Sequence, residues 1–259
     1  MKTVLITGAC INTGVAIVER FAAEGWKIIF TGRDEEKVRT VQRKYAEAYP
    51  NTTIIGYALG SLLDERTVDE KSVEALFASL DAKGLFADTL VLNAADQGLG
   101  QKIFESPLTD LMKVINTNVV WNYCLCQHAA KRMKEHGGGN IVFLNSNTAY
   151  RAIPDRIAYV ASKGGQLGLM RALALDLGKY NIRVNAVLPG MIKTDRWEQN
   201  PDFYAKVPSR FTPIGDVAVG ADIADAVYYF AAHARNTTGA ELVVDGGNTV
   251  QLYPVIPEE

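Results

Sequence analysis

Short apolar runs alternate with segments of helical periodicity along the whole chain. The runs at residues 4–7, 28–31, 53–57, 89–92, 141–144, 183–187 and 242–244 predict strands. Several are apolar at successive positions, the mark of strands buried on both faces. Residues 14–24, 35–49, 67–83, 111–135, 158–179 and 222–232 carry apolar positions three and four apart and predict helices. Strand alternating with helix implies parallel pairing through right-handed crossovers. The expected fold is therefore an α/β doubly wound parallel sheet of about seven strands, with residues 1–259 forming a single domain. Two stretches break the rhythm. Residues 60–70 are longer and more polar than a tight connection needs. Residues 191–220 form a long irregular segment carrying Pro201, Pro208 and Pro213 directly after a strand. In an open α/β sheet, ligands bind outside the carboxyl ends of the strands, so this second segment is expected to be a substrate lid.

Composition narrows the class without naming a chemistry. Hydrophobic residues make up 48% and charged residues 22% of 259 residues, near the globular average, which excludes disorder, collagen and coiled coil. Lys and Arg number 27 against 29 Asp and Glu, a formal net charge of −2. Such a balance carries no electrostatic footprint for nucleic acid or an anionic membrane. No apolar run approaches the roughly 18 residues of a membrane span, and the N-terminus does not read as a signal peptide. The expectation is a soluble, cytoplasmic protein. Cys10, Cys124 and Cys126 are odd in number and lack a second ligand cluster, and His128, His136 and His233 have no ligand spacing; reduced thiols and no metal are expected.

Two local motifs carry chemistry. The first strand ends in Thr7-Gly8-Ala9-Cys10-Ile11-Asn12-Thr13-Gly14 and runs into a helix. Glycines there permit a tight turn and close helix–strand packing, and the helix N-terminus offers free N–H groups to a pyrophosphate. After the second strand comes Thr31-Gly32-Arg33-Asp34. A carboxylate at this point suits the ribose hydroxyls of NAD, whereas a 2′-phosphate needs a cation. Arg33 can fork onto that phosphate, which favours NADP over NAD; the alternative is that Arg33 begins a solvated helix capped by Asp34. Further along, Tyr159 and Lys163 stand at i and i+4 on one helix face. Such a pair arises by chance in a chain with 11 tyrosines, but Ser146, 13 residues earlier and just past a strand, sharpens it.

With these residues on the page, the chain resembles the short-chain dehydrogenase/reductase family from about residue 3 to residue 247. The resemblance maps the family's glycine turn onto Gly8 and Gly14, and its segment after the fourth strand onto Leu92-Asn93-Ala94-Ala95. It maps the helix asparagine onto Asn118, the Ser-Tyr-Lys set onto Ser146, Tyr159 and Lys163, and the turn after the sixth strand onto Pro189-Gly190, with Ile192 and Thr194 beyond it. It implies a Rossmann fold and hydride transfer between NADP(H) and a secondary alcohol or ketone. In that reading Tyr159 is the acid/base, its phenol drawn down from near 10 by the cations of Lys163 and oxidised nicotinamide. Ser146 donates to the substrate oxygen, Lys163 holds the nicotinamide ribose, and Asn118 anchors a water that relays protons.

Cofactor contacts implied in the same way come from Gly8, Asn12, Thr13, Gly14, Arg33, Asn93, Ala94, Tyr159, Lys163, Pro189, Gly190, Ile192 and Thr194. The candidate substrate wall is Asp96, Gln97, Asn147, Tyr150, Arg151, Ile153, Met191, Ile192, Arg196 and Trp197, whose mixed polar and aromatic character suits a hydroxylated substrate such as a sugar or polyol, while Arg151 or Arg196 equally suits the carboxylate of an acidic hydroxysteroid. A homotetramer or homodimer is implied, with the helices at 111–135 and 158–179 as faces and the apolar tail at 252–257 against a neighbour. Three positions depart from the family pattern. Asn12 replaces the middle glycine of the turn, Ala95 replaces the last glycine after the fourth strand, and Leu59-Gly60-Ser61 lacks the acidic residue often found near adenine. Asn12 is the best support for the alternative reading, a catalytically silent nucleotide-binding scaffold or redox sensor.

Overall fold

A computed structural model of the chain describes residues 1–194, 197, 201 and 210–253. Seven parallel strands form one sheet: β1 (Thr3–Ile6), β2 (Lys27–Gly32), β3 (Ile54–Ala58), β6 (Thr89–Leu92), β7 (Gly139–Leu144), β8 (Ile182–Pro189) and β9 (Glu241–Val244). Their order is β3-β2-β1-β6-β7-β8-β9. Each corresponds to one of the seven apolar runs. The reason those runs are apolar at successive positions is visible in β1, where Val4 and Ile6 enter one core cluster and Leu5 the other. One face is covered by α1 (Asn12–Ala23), α2 (Glu35–Ala48) and α7 (Gly220–Tyr228). The opposite face is covered by α3 (Glu70–Ala82), α5 (Trp121–Glu135) and α6 (Ile157–Gly178), while α4 (Leu108–Ile115) packs beside α6. No helix of the described residues is long and apolar enough to cross a membrane.

The helices differ from expectation in three places, each for a local reason. The stretch at 60–70 folds into a small antiparallel hairpin, β4 (Leu62–Asp64) and β5 (Thr67–Val68), with a bulge between Leu62 and Asp64. Asp64 accepts from the Arg66 N–H at 2.8 Å and closes that turn, so α3 starts only at Glu70, capped by Asp69. The helix expected at 111–135 begins earlier, at Leu108 after Pro107, and is interrupted by a π-helical turn over Asn116–Val120. The last helix likewise passes from α7 into a π-helical turn over Tyr229–His233. Of the expected lid at 191–220, residues 195–196, 198–200 and 202–209, including Arg196 and Pro208, lie outside the described residues. Part of the expected tail, 254–257, does too.

The sheet order reverses between β1 and β6. Adjacent carboxyl ends there send their chains to opposite faces, which leaves a crevice at the edge. The glycine turn follows β1, Asn93 follows β6, and Ser146 follows β7 at the same edge.

Candidate active site

The turn after β1 is built by close approach. A Cβ on Gly8, which sits at φ +66°, would lie 2.9 Å from both Cα and Cβ of Ala94. A Cβ on Gly14 would lie 2.6 Å from the Gly8 carbonyl oxygen. Only glycine fits either place. Between them, Asn12 stands at φ +48° and is exposed. Asparagine is among the few side-chain-bearing residues that visit this region readily, so the departure from glycine preserves the backbone path.

Asn93 clamps the turn from β6. Its Nδ2 donates to the carbonyls of Thr7 and Gly8, both at 2.9 Å, and the Thr7 hydroxyl accepts from the N–H groups of Asn93 and Ala94 at 3.0 Å. Tyr45 of α2 holds the other side by donating to the Ala9 carbonyl at 2.8 Å. Sequence reasoning assigned Asn93 and Ala94 to cofactor contact; here their own contacts hold the turn. Tyr45 carried no signal beyond an apolar position on α2.

Helix α1 opens with Ile11 at its N-cap, without a side-chain cap and without an acidic residue in the first turn. Its neighbour α2 opens the other way, with Asp34 accepting from the Lys37 N–H at 2.6 Å and Glu35 and Glu36 following. The positive end of α1 is therefore left for an external anion, whereas that of α2 is already served. Arg33 is exposed beside this point and has no ion-pair partner among the described residues. Both properties read from the sequence hold together: Asp34 caps α2 and Arg33 is left to reach outward.

The Ser146, Tyr159, Lys163 and Asn118 positions converge at the carboxyl edge. Ser146 is buried, caps a short 3-10 turn over Asn147–Ala149 by accepting from the Thr148 N–H at 3.2 Å, and lies near enough to the Tyr159 phenol to act on its titration. Burial pushes that phenol above its ordinary range, and nearby Ser146 and Arg156 draw it back part of the way. The downward pull expected from Lys163 is not among these forces. The Lys163 ammonium lies 5.5 Å from the Tyr159 ring centroid and donates to the Leu144 carbonyl at 2.9 Å and to Gln166 Oε1 at 3.1 Å. Lys163 is 1% exposed, and burial alone lowers its pKa to about 7.

Asn118 lies in the π-helical turn and is fully buried. Its side chain accepts from the Asp96 N–H at 2.8 Å and donates to the Asp96 carbonyl at 2.8 Å and to Ser162 Oγ at 2.9 Å. Its backbone carbonyl accepts from Gln166 Nε2 at 2.6 Å and from Asn122 Nδ2 at 2.9 Å. A carbonyl oxygen has two lone pairs, and both are taken. Gln166 and Asn145 complete the network, with Asn145 Nδ2 donating to the Lys163 carbonyl at 3.0 Å. The only sequence signal for Gln166 was its place three residues after Lys163.

Several expected substrate-wall side chains are engaged with β9 and the segment after it. Asn147 Nδ2 donates to Asp245 at 3.3 Å and to Asn248 at 2.9 Å, Tyr150 hydrogen bonds Glu241, and Arg151 donates to the carbonyls of Asn248 and Gln251. Asp245 in turn accepts from the N–H groups of Gly247 and Thr249. These hydrogen bonds hold its carboxyl below the usual range against the opposing effect of burial. Asp96 accepts from the Gly98 N–H at 2.9 Å and lies 3.8 Å from Lys113. Trp197 donates to the Ile192 carbonyl at 3.1 Å, Ile192 bridges to Ala218, and the Gly190 N–H after Pro189 donates to the Val244 carbonyl at 3.0 Å. Met191, Ile192 and Thr194 are half-buried along this edge, and Ile153 is exposed. All three cysteines are free, with Cys10 partly exposed in the glycine turn.

Comparison with known proteins places this geometry among relatives. A family model described as enoyl-(acyl carrier protein) reductase matches residues 8–249. An L-rhamnose 1-dehydrogenase (NAD(P)(+)) from Azotobacter vinelandii is 34% identical over 97% of this chain and 98% of its own. A 3alpha-hydroxysteroid dehydrogenase from Mediterraneibacter gnavus is 32% identical over 95% and 96%. Among solved structures, the L-sorbose reductase of Gluconobacter frateurii complexed with NADPH and L-sorbose superimposes with a TM-score of 0.87 at 26% identity, covering 97% of each chain.

Proposed function

This chain belongs to the short-chain dehydrogenase/reductase family, and from that premise we propose that it transfers a hydride between NADP(H) and a secondary alcohol or ketone. The observation that carries the reading is the convergence of buried Ser146, the Tyr159 phenol and the buried Lys163 ammonium at the same sheet edge as an uncapped α1. The residues fit the cofactor: α1 offers its unserved N–H groups to the pyrophosphate, and exposed Arg33 suits the 2′-phosphate. When bound, the nicotinamide supplies or accepts the hydride.

The chain's own residues manage the proton. Because burial keeps Tyr159 protonated, its hydroxyl is poised to give a proton to a carbonyl oxygen as that oxygen gains charge, which favours ketone reduction. Ser146 donates to the same oxygen and steadies the developing charge. Lys163 holds the nicotinamide ribose with the ammonium proton left over from Leu144 and Gln166. The named activities of the relatives span a deoxy sugar, a ketose and a steroid. Two of these three are sugars, which favours the hydroxylated, sugar-like class for this chain. Exposed Tyr123 on α5 and Leu175 on α6 support a homo-oligomer.

The test is calorimetric titration with NADPH and NADH, followed by a turnover screen of ketoses, aldoses, polyols and hydroxysteroids. Tight NADPH and weak NADH with turnover of a sugar or polyol is the expected result. Preference for NADH overturns the role of Arg33, and binding without turnover of any carbonyl or alcohol leaves the scaffold reading in its place.

A further inference from the structure

Gln166 is fully buried, yet no step of the proposed reaction uses it. Its carboxamide is spent on three partners: Nε2 donates to the Asn118 carbonyl at 2.6 Å, and Oε1 accepts from Lys163 Nζ at 3.1 Å and from Asn145 Nδ2 at 3.2 Å. The two ends are different chemically. The oxygen end faces a cation and the nitrogen end faces a carbonyl, so only one orientation of the amide satisfies both. Asn145 reinforces that orientation by presenting its own N–H to the oxygen end while also bonding the Lys163 carbonyl.

We infer that Gln166 is a positioning residue for Lys163, a strut of side-chain amide that ties the ammonium to the Asn118 carbonyl. The inference rests on the proposed dehydrogenase reading for its consequence in catalysis, though not for its geometry. The strut fixes two of the three ammonium protons, on Leu144 and Gln166, and thereby aims the third. It also ties the π-helical turn to α6 through protein atoms.

The surroundings make Lys163 a sensitive reporter of this strut. Its own helix presents Tyr159 and Gln166; β7 and the residue after it present the uncharged Leu144 carbonyl and Asn145; the π-helical turn presents Asn118 through Gln166. Tyr159 is the titratable group beside it, with Arg156 acting on that phenol. No carboxylate pairs with Lys163 among the described residues, so removing one acceptor removes a large share of what supports its charge.

The experiment follows the titration of Lys163 in the full-length protein without cofactor, by NMR of isotope-labelled lysine side chains assigned through Lys163→Met. Gln166→Met keeps the bulk and removes the acceptor; the Lys163 midpoint is expected to fall by about one to two pH units, the size of one hydrogen bond to a charged group. Gln166→Glu puts a carboxylate against the ammonium, and the midpoint is expected to rise. In parallel, the basic limb of the kcat/KM profile for NADPH-driven reduction is expected to move with the midpoint in each variant. Midpoints unchanged in both variants overturn the inference, whatever happens to folding stability. A wild-type protein that reduces nothing while its Lys163 midpoint moves as expected overturns the proposed function and leaves the strut standing.

Discussion

The glycine turn between β1 and α1 and the network around Lys163 share one edge of the sheet, yet they treat hydrogen-bonding groups in opposite ways. The turn is held from outside, by Asn93 and Tyr45 on backbone carbonyls, and its helix end is left without a cap. Around Lys163 the side-chain groups of Asn118, Gln166 and the lysine itself are paired within the fold before any ligand arrives. The difference follows from what each region has to do. A pyrophosphate is bound by donors that nothing in the protein consumes. A proton-transfer group gains from being fixed in place and dry, so that no reorganisation is needed when charge develops.

The contrast is broken most sharply at Tyr159. Tyr159→Phe removes the proton donor while leaving both the turn and the Lys163 network intact. Turnover is expected to fall by about two to four orders of magnitude, with NADPH affinity by calorimetry unchanged. A variant that retains turnover places the acid elsewhere. The reverse perturbation is Lys163→Met, which should abolish turnover yet raise stability at neutral pH. Burial lowers the folded-state pKa of this lysine from 10.5 to about 7. Below about 7 both folded and unfolded states bind the proton and the full burial cost is felt. Between about 7 and 10.5 the unfolded state binds more protons, so wild-type stability climbs with pH, and above that range the cost is gone. The stabilisation from Lys163→Met, on the order of 5 kcal/mol before the lost bonds to Leu144 and Gln166 are counted, should therefore be largest below pH 7 and shrink as pH rises. Thermal unfolding at several pH values reads it directly.

What the sequence made legible divides along the same line. The seven strands were visible because strands buried on both faces are apolar at every position, and the glycine turn because Gly8 and Gly14 meet backbone at distances no side chain allows. The π-helical turn at Asn116–Val120 was not visible. No breaker residue marks it, and its contacts run to Asp96 and Ser162, 22 and 44 residues away. Gln166 was equally hidden, since its partner Asn118 lies 48 residues distant. The hold of β9 and the segment after it on Asn147, Tyr150 and Arg151 escaped for a similar reason: a wall residue and a residue anchoring the wall have the same side chain.

On the open side of the comparison, Arg33→Ala tests whether an exposed cation is kept for the 2′-phosphate. Loss of one charge-assisted contact should weaken NADPH by about 10- to 100-fold, while NADH, which lacks that phosphate, binds as before. Equal weakening of both cofactors would move Arg33 to a general role in the fold of α2.

The smallest effect is expected at Tyr45, and it asks whether the open turn depends on being held from behind. Tyr45 is buried at 5% exposure, its ring packs edge-on against Phe30 with centroids 5.4 Å apart, and its hydroxyl reaches the Ala9 carbonyl. Tyr45→Phe keeps the ring and its packing and removes only the donor, leaving a carbonyl in the turn without that partner. The expected cost is about 1 kcal/mol, or roughly 2–4 °C in Tm for a chain of this size. Because Ala9 sits between Gly8 and Asn12 in the turn, part of that cost should also surface as a few-fold weaker NADPH binding at a temperature where the variant remains folded. A lower Tm with unchanged NADPH affinity would mean that Asn93 alone sets the shape of the turn, and that α2 contributes stability to this edge without shaping its donors.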